Sequence, residues 1–424
     1  MKYSVITFGC RVNQADSLGF EEDLLALGAV AAAPQDADVV VVNTCSVTAT
    51  ADQGARQTIR RIARDNPAVR IVVTGCYATR RPDDVRALPN VVRVVGNDDK
   101  PATVSLISTD FGLTTAARFG EGDGSCGAPI VPGVAGRTAF TLRVQTGCAE
   151  SCSYCIIPST RGRPRSVPVE DVLAQIGRVV SAGFKEIALT GVHLGSYGRD
   201  LTPARSLGNL LRTIDARFGP ESHNQRVLFR ISSLEPMDCS PEIVDIVASG
   251  GSFAPHFHLP LQHASNRMLA AMRRPYTIEY YARLVNGIRA RMPHASIGSD
   301  VIVGFPGEIG ADFEQLASYL ERSPLTHVHV FPYSDRPGTD ATMMSGKVDG
   351  TTIRERGRRV REIAQRLSRR FHESQVGAVR PALTIDDGSS VVTDNYLKLR
   401  VPPRRARNEW VRARIMSQHE GEVL

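Results

Sequence analysis

The stretch 145–165 constrains this chain more than any other: Gln-Thr-Gly-Cys-Ala-Glu-Ser-Cys-Ser-Tyr-Cys-Ile-Ile-Pro-Ser-Thr-Arg-Gly-Arg-Pro-Arg. It sets Cys148, Cys152 and Cys155 in a C-x3-C-x2-C spacing. Three thiolates this close can grip three irons of a cubane cluster and leave the fourth iron open. A structural zinc wants four protein ligands, and no fourth Cys or His lies nearby in sequence. A closed set of disulfides fails on parity, since three is odd. The plain alternative is three small buried cysteines in a loop, but loops rarely carry so many soft ligands without a metal. The run just before, 140–145, reads as a strand, so the cysteine loop begins at a strand's carboxyl end.

Upstream, strands and helices alternate. Strands read at 2–9, 38–44, 70–75 and 91–96, with helices at 17–27 and 51–64. Val39-Val-Val-Val42 is apolar without alternation, as expected of a parallel strand covered on both faces. The pattern predicts an α/β unit with a parallel sheet. Cys10, Cys45 and Cys76 each follow one of its first three strands. Strand carboxyl ends share one edge of such a sheet, so three cysteines far apart in sequence should meet there. That is a second set of three, again one short of a closed site. Cys126 lies in a Gly-rich stretch and Cys239 before a predicted helix, and both read as non-ligands. Residues 100–136 read as a linker or irregular crossover.

From 138 the alternation resumes. Strands read at 140–146, 185–191, 227–233, 256–262, 296–304 and 326–333, with helices such as 169–182 and 311–322 between them. Six strand–helix repeats predict a partial six-stranded parallel barrel, whose chemistry belongs at the strand carboxyl ends. Those ends are polar or glycine-rich. They hold Thr190, Gly191 and His193 after the second strand, then Ser232 and Glu235. His258, Gln262, Asp300 and Arg336 follow on the later strands. The last segment, 373–424, shows short alternating strands at 381–385, 390–401 and 410–415, and predicts a small antiparallel β barrel.

Net charge is +7 and its distribution is uneven. Arg354, Arg356, Arg358, Arg359, Arg361, Arg366, Arg369 and Arg370 crowd one predicted helix, and Arg400, Arg404, Arg405, Arg407, Arg412 and Arg414 follow in the tail. Two consecutive basic segments favour a polyanionic partner over a merely solvated face. No apolar run is long enough to cross a membrane, and the first residues lack a signal-peptide layout. A reducing cytoplasm is therefore expected, with no membrane partner.

The C-x3-C-x2-C loop resembles the radical S-adenosylmethionine (SAM) superfamily. There the open iron chelates SAM, and an electron from the [4Fe-4S] cluster cleaves it to a radical that abstracts hydrogen. The three-cysteine domain before it and the small β domain after it together resemble the methylthiotransferases over essentially the whole chain, the last domain only loosely. Gly9-Cys-Arg-Val-Asn-Gln14, Asn43-Thr-Cys-Ser-Val-Thr48, Gly75-Cys-Tyr-Ala78 and Leu189-Thr-Gly-Val-His-Leu-Gly-Ser-Tyr-Gly198 are similar to the branch acting on N6-threonylcarbamoyladenosine.

This resemblance implies a tRNA-modifying enzyme that puts a methylthio group on carbon 2 of adenosine 37, in the anticodon stem-loop. It implies three units: 1–125, 136–370 and a TRAM-like RNA-binding domain at 373–424. It also implies two [4Fe-4S] clusters, an auxiliary one on Cys10, Cys45 and Cys76 and a radical one on Cys148, Cys152 and Cys155. SAM would be held by Thr190, Gly191, His193, Ser232, Glu235, His258, Gln262 and Asp300. A reductant such as flavodoxin or ferredoxin and a sulfur donor would be partners. Arg161, Arg163, Arg165 and Arg336 are candidate substrate contacts, offered as free cations for the carboxylate of the threonylcarbamoyl group. The rival substrates are isopentenyladenosine 37 and a ribosomal-protein aspartate. The rival class is a non-catalytic iron–sulfur RNA-binding protein.

Overall fold

A computed structural model describes residues 1–111, 132, 138–220, 226–402 and 405–424. Cys126 and Arg404 lie outside the described residues. The first unit is a parallel sheet of five strands in the order Val30–Ala31, Lys2–Thr7, Val39–Thr44, Arg70–Gly75, Val91–Val95. The chain winds to one side of Lys2–Thr7 and then to the other. The gap between Lys2–Thr7 and Val39–Thr44 is thus the point where strand order reverses, the usual ligand crevice of such a sheet. Val40 and Val42 enter the core on one face, while Val39 and Val41 enter the core on the other, which explains the unbroken valine run.

Two boundaries differ from the sequence reading. The first helix spans Arg11–Ala26 and begins directly after Cys10 rather than at 17. Its early polar residues, Asn13, Asp16 and Ser17, are buried, which hid them from a search for an apolar period. Residues Thr103–Phe111 form a helix where an irregular linker was expected. Val104 and Ile107 bury one short apolar stripe against the sheet, too little to outweigh the turn formers around it.

The central unit holds six parallel strands in two hydrogen-bonded halves. Phe140–Arg143, Glu186–Thr190 and Leu228–Ile231 form one, and His256–His258, Ser296–Val303 and His327–Pro332 the other. A Phe229–Phe253 bridge and a Leu234 N to His258 O hydrogen bond of 2.9 Å join them, giving the open barrel that the repeats predict. The Arg11–Ala26 helix lies between the units: Phe20 and Leu24 pack on its own sheet, and Leu18 on the barrel core.

The Gly350–Gln375 helix is capped by Asp349, which accepts from the Thr351 and Thr352 amides. Val360, Ile363 and Leu367 bury its stripe in the barrel core, and Phe371 enters the core of the last unit. That unit is a five-stranded antiparallel sheet whose ends approach through an Arg400–Glu420 bridge. The arginines of the long helix are less available than the sequence suggested. Arg356 pairs with Glu308, Arg359 with Glu314, Arg366 with Glu321 and Arg358 with Glu362. Most of this charge fastens the helix to the barrel or to itself.

Gly75 closes its strand at φ +96°, and a Cβ there would sit 2.2 Å from Thr44 O. Gly75→Ala is therefore expected to cost about 1–3 kcal/mol, because both the backbone conformation and the contact resist it. Urea unfolding of purified protein checks this. An unchanged midpoint would mean the turn relaxes freely.

Candidate active site between two cysteine triads

The strand ends of the first sheet bring Cys10, Cys45 and Cys76 together. A Cβ on Gly9, which has φ +90°, would meet Cys45 Sγ at 2.5 Å, so the two strand ends can approach only because Gly9 lacks one. Two asparagines fix the loops. Asn13 Nδ2 donates to Phe8 O at 2.8 Å and to Thr44 O at 2.9 Å, the carbonyls just before the first two cysteines. Asn43 Nδ2 donates back to Asn13 O at 2.8 Å. The Thr44 hydroxyl donates to Thr74 O at 2.6 Å and accepts from the Ala78 amide, tying in the third loop. Cys10 and Cys76 both stand at helix N-termini. Burial pushes the Cys45 thiol up to about 11, and the neighbouring thiols add to it. A bound cation would have to displace that proton.

The second triad lies on the loop after Phe140–Arg143. The Cys148 amide donates to Gly162 O at 3.1 Å, and Cys155 N to Cys152 O at 3.1 Å. Burial pushes Cys155 up to about 12 and raises Cys152. Two cationic groups reach these sulfurs. Arg274, buried, donates to Cys152 Sγ at 3.3 Å and pairs with Glu235. His193 bonds Asp238 Oδ2 at 2.8 Å and reaches the Cys148 sulfur; burial alone would lower this imidazole, but Asp238 and Cys148 raise it to about 10. Glu235 and His193, expected to contact a cofactor directly, are thus bound to side chains flanking this triad.

One residue links the triads. Arg161 ends the short helix Ile157–Arg161 after the second triad, and it reaches the Cys76 sulfur of the first. It is buried, pairs with Asp16 at 3.5 Å and donates to Asn13 Oδ1. Asp16 also holds Lys100 at 2.7 Å and Arg143 at 3.2 Å. Burial would push the Asp16 carboxyl up; the three cations outweigh it and hold it below the usual carboxylate range. Asn97 completes the contact, donating to Thr160 O at 2.7 Å and to Cys76 Sγ at 3.6 Å.

Beside Cys10, along the barrel strand ends, lies a cavity of about 660 Å³. Cys10 and Arg11 line it from the first unit, and Thr190, Gly191, Ser232, His258 and Asp300 from the barrel. Ser232 Oγ is buried without a hydrogen-bond partner among the described residues, and so is free for a guest molecule. A smaller space of about 190 Å³ reaches Cys155, Gln262 and Asp300. These walls suit a polar nucleoside-like ligand beside a thiolate-held metal.

The arginines offered as free cations do not behave alike. Arg336 is buried, with Nη1 2.9 Å from Asp52 and Nε 3.2 Å from Val47 O, so it fastens the last strand to the first unit. Arg161 is spent on Asp16. Both pairings share a cause: the contact between units needs buried cations for Asp16 and Asp52, and sequence alone does not say which arginines meet them. Arg163 is exposed, and Arg165 is an exposed partner of Asp98 at 3.3 Å. Cys239 lies in the barrel core, where burial pushes it up to about 12.

Sequence reasoning missed Arg274, Asp16, Lys100 and Asn97, which carry no spacing signal. It also missed His327 and His329, for which a signal existed. They alternate in the predicted sixth strand, so both face one side.

Residues 2–96 match the family profile described as "Uncharacterized protein family UPF0004", and residues 142–320 that of the radical SAM superfamily. The chain is 36% identical to the threonylcarbamoyladenosine tRNA methylthiotransferase MtaB of Aquifex aeolicus, over 94% of this chain and 96% of that one. It is 32% identical to the tRNA-2-methylthio-N(6)-dimethylallyladenosine synthase of Carboxydothermus hydrogenoformans, over 93% and 90%. Among solved structures, the radical SAM methyltransferase TsrM from Kitasatospora setae superposes with a TM-score of 0.57 at 16% identity, over 80% of this chain and 76% of that one, a likeness of fold.

Asp16→Ala would leave Lys100 and Arg161 buried without their counter-charge. A loss of about 3–5 kcal/mol is expected by urea unfolding. A change below about 1 kcal/mol would mean that water replaces the carboxylate.

Proposed function

Because the chain belongs to the radical SAM methylthiotransferase family of tRNA-modifying enzymes, we propose that it methylthiolates carbon 2 of N6-threonylcarbamoyladenosine at position 37 of tRNA. The observation that carries this reading is the pair of cysteine triads bridged by Arg161, which reaches Cys76 from the loop of the second triad, with Cys10 lining one cavity and Cys155 another, and Asp300 shared by both. Carbon 2 of adenine offers neither an acidic proton nor a leaving group, so proton transfer and nucleophilic attack gain little there. SAM at a [4Fe-4S] cluster supplies the radical that removes such a hydrogen. Cys148, Cys152 and Cys155 would hold that cluster, with Arg274 and His193 donating to its sulfur ligands. Thr190, Gly191 and Ser232 would hold SAM along the strand ends. Gln262 and Asp300 would reach it from the smaller space, with His258 held against Asp300 on the opposite wall.

Cys10, Cys45 and Cys76 would hold a second [4Fe-4S] cluster that receives sulfur from a donor. A reductant of the flavodoxin or ferredoxin class would supply electrons. The units follow the same division, 1–125, 136–370 and 373–424. The last would grip the anticodon stem-loop with exposed arginines such as Arg400 and Arg412. The dimethylallyl relatives supply the main rival substrate, isopentenyladenosine.

Cysteine variants separate the two roles. Changing Cys148, Cys152 and Cys155 to Ala should remove one cluster and abolish SAM cleavage. Changing Cys10, Cys45 and Cys76 should spare SAM cleavage but eliminate methylthio product. Iron analysis and nucleoside mass spectrometry read both. Normal product from the second variant would end the two-cluster reading. Separately, deleting residues 373–424 should raise the tRNA dissociation constant, and each lost phosphate contact should flatten the log–log salt slope by roughly 0.7–0.9. An unchanged affinity would make this unit a structural cap.

A further inference from the structure

Arg11 is a cation on the wall of the 660 Å³ cavity that forms no ion pair among the described residues. Its Nη2 donates to the Tyr396 hydroxyl at 3.1 Å, a contact from the last unit that fixes the side chain without neutralising it. Arg161, which also lines the cavity, is spent on Asp16. A guanidinium held in place on a cavity wall with no counter-charge is open to an anionic ligand.

Imidazoles line the same cavity. His258, His327 and His329 cluster with ring centroids 5.7–6.0 Å apart, and one nitrogen of each lies within 4.8 Å of the others. His258 is turned to Asp300 at 3.1 Å and His327 Nδ1 lies 3.0 Å from the Thr326 hydroxyl, while His329 lines the cavity with no hydrogen-bond partner among the described residues. The cluster is built in: a Cβ on Gly298 of the neighbouring strand would lie 1.9 Å from His327 Nε2. His256 stacks on His327 at 6.1 Å and packs on Tyr396 at 4.8 Å, so imidazoles and guanidinium share one continuous surface. Burial, with its imidazole neighbours, holds His327 down to about 3, so its ring stays uncharged within the cluster. Three imidazoles this close can also grip a divalent metal. The uncompensated guanidinium on the same cavity wall argues for an anion instead.

We propose that Arg11, with His329, forms the subsite that reads the carboxylate of the threonylcarbamoyl group; this rests on the substrate reading above. A guanidinium fork takes a carboxylate in bidentate fashion, and an isopentenyl group would leave Arg11 unpaired. Because Arg11 adjoins Cys10, the same grip would hold the adenine beside the first cysteine triad.

The test uses cluster-loaded enzyme and anticodon stem-loops carrying three nucleosides: threonylcarbamoyladenosine, its uncharged carboxamide, and isopentenyladenosine. Affinity is read by anisotropy and kcat/KM by nucleoside mass spectrometry. Wild type should prefer acid over carboxamide by roughly tenfold or more in both readouts. Arg11→Gln should collapse that ratio toward one, Arg11→Lys should keep part of it, and His329→Asn should reduce it. Iron content, measured in each variant, separates this from damage to the Cys10 site. If wild type modifies the acid RNA and Arg11→Gln keeps the full ratio, the anion subsite is wrong while the substrate reading stands. If wild type modifies only isopentenyl RNA, the substrate reading fails and takes the subsite with it. An equivalent of zinc per chain, lost in His327→Ala, would overturn the proposal in favour of a metal site.

Discussion

Everything at this site depends on a carboxylate, Asp16, buried between two units and surrounded by Lys100, Arg143 and Arg161. The first unit supplies the acid and Lys100. The barrel edge supplies Arg143, and the loop after the second triad supplies Arg161. Removing Asp16 would leave the buried Lys100 and Arg161 without their counter-charge, so the cluster is held as a whole rather than pair by pair. Its consequence is geometric. Arg161 cannot satisfy Asp16 and Asn13 without also touching Cys76, and the residues just before it carry Cys148, Cys152 and Cys155. One electrostatic lock therefore sets the facing of the two triads. Asp52 repeats the device on the far side, taking Arg336 from the last barrel strand and Arg80 from its own unit.

The sequence shows the triads, the strand order and the strand ends because each rests on short-range physics. Ligand spacing is local, and apolar periodicity is local. The rule that parallel strands share a carboxyl edge turns both into a position. Hence the six barrel strands fell where the apolar runs predicted them, and Cys10, Cys45 and Cys76 met at one edge. What escaped was long-range pairing of charge. Lys100 and Asp16 are 84 residues apart, and Arg161 and Asn13 are 148 apart, with no pattern connecting them. The same long-range pairing was invisible in the long helix, where Arg356, Arg359 and Arg366 meet Glu308, Glu314 and Glu321 across the barrel.

Polar residues in a helix are a second source of error with a common cause. The Arg11–Ala26 helix opens with Asn13, Asp16 and Ser17, all buried, so the apolar period starts only a turn and a half later. These residues bind loop carbonyls, Asn43 and the cations of the neighbouring unit. A helix that is polar where it is buried marks a place where the protein spends packing on positioning.

That view explains why one cation near the site stays unpaired. Around the triads, Arg161, Arg274 and Arg336 each meet a carboxylate, Asp16, Glu235 and Asp52 respectively. A chain that matches its buried charge so consistently has little reason to leave Arg11 with only a tyrosine hydroxyl. The adjacent Cys10 is fixed by the turn at Gly9 and by the start of the helix, so the Arg11 backbone is as well placed as the triad itself. A guanidinium positioned by the Tyr396 hydroxyl, with no carboxylate partner among the described residues, is pre-organised for an external one, and part of the ordering cost has been met by the fold rather than by the ligand. The exception in the charge pairing is therefore the point at which the protein is completed by something it does not encode.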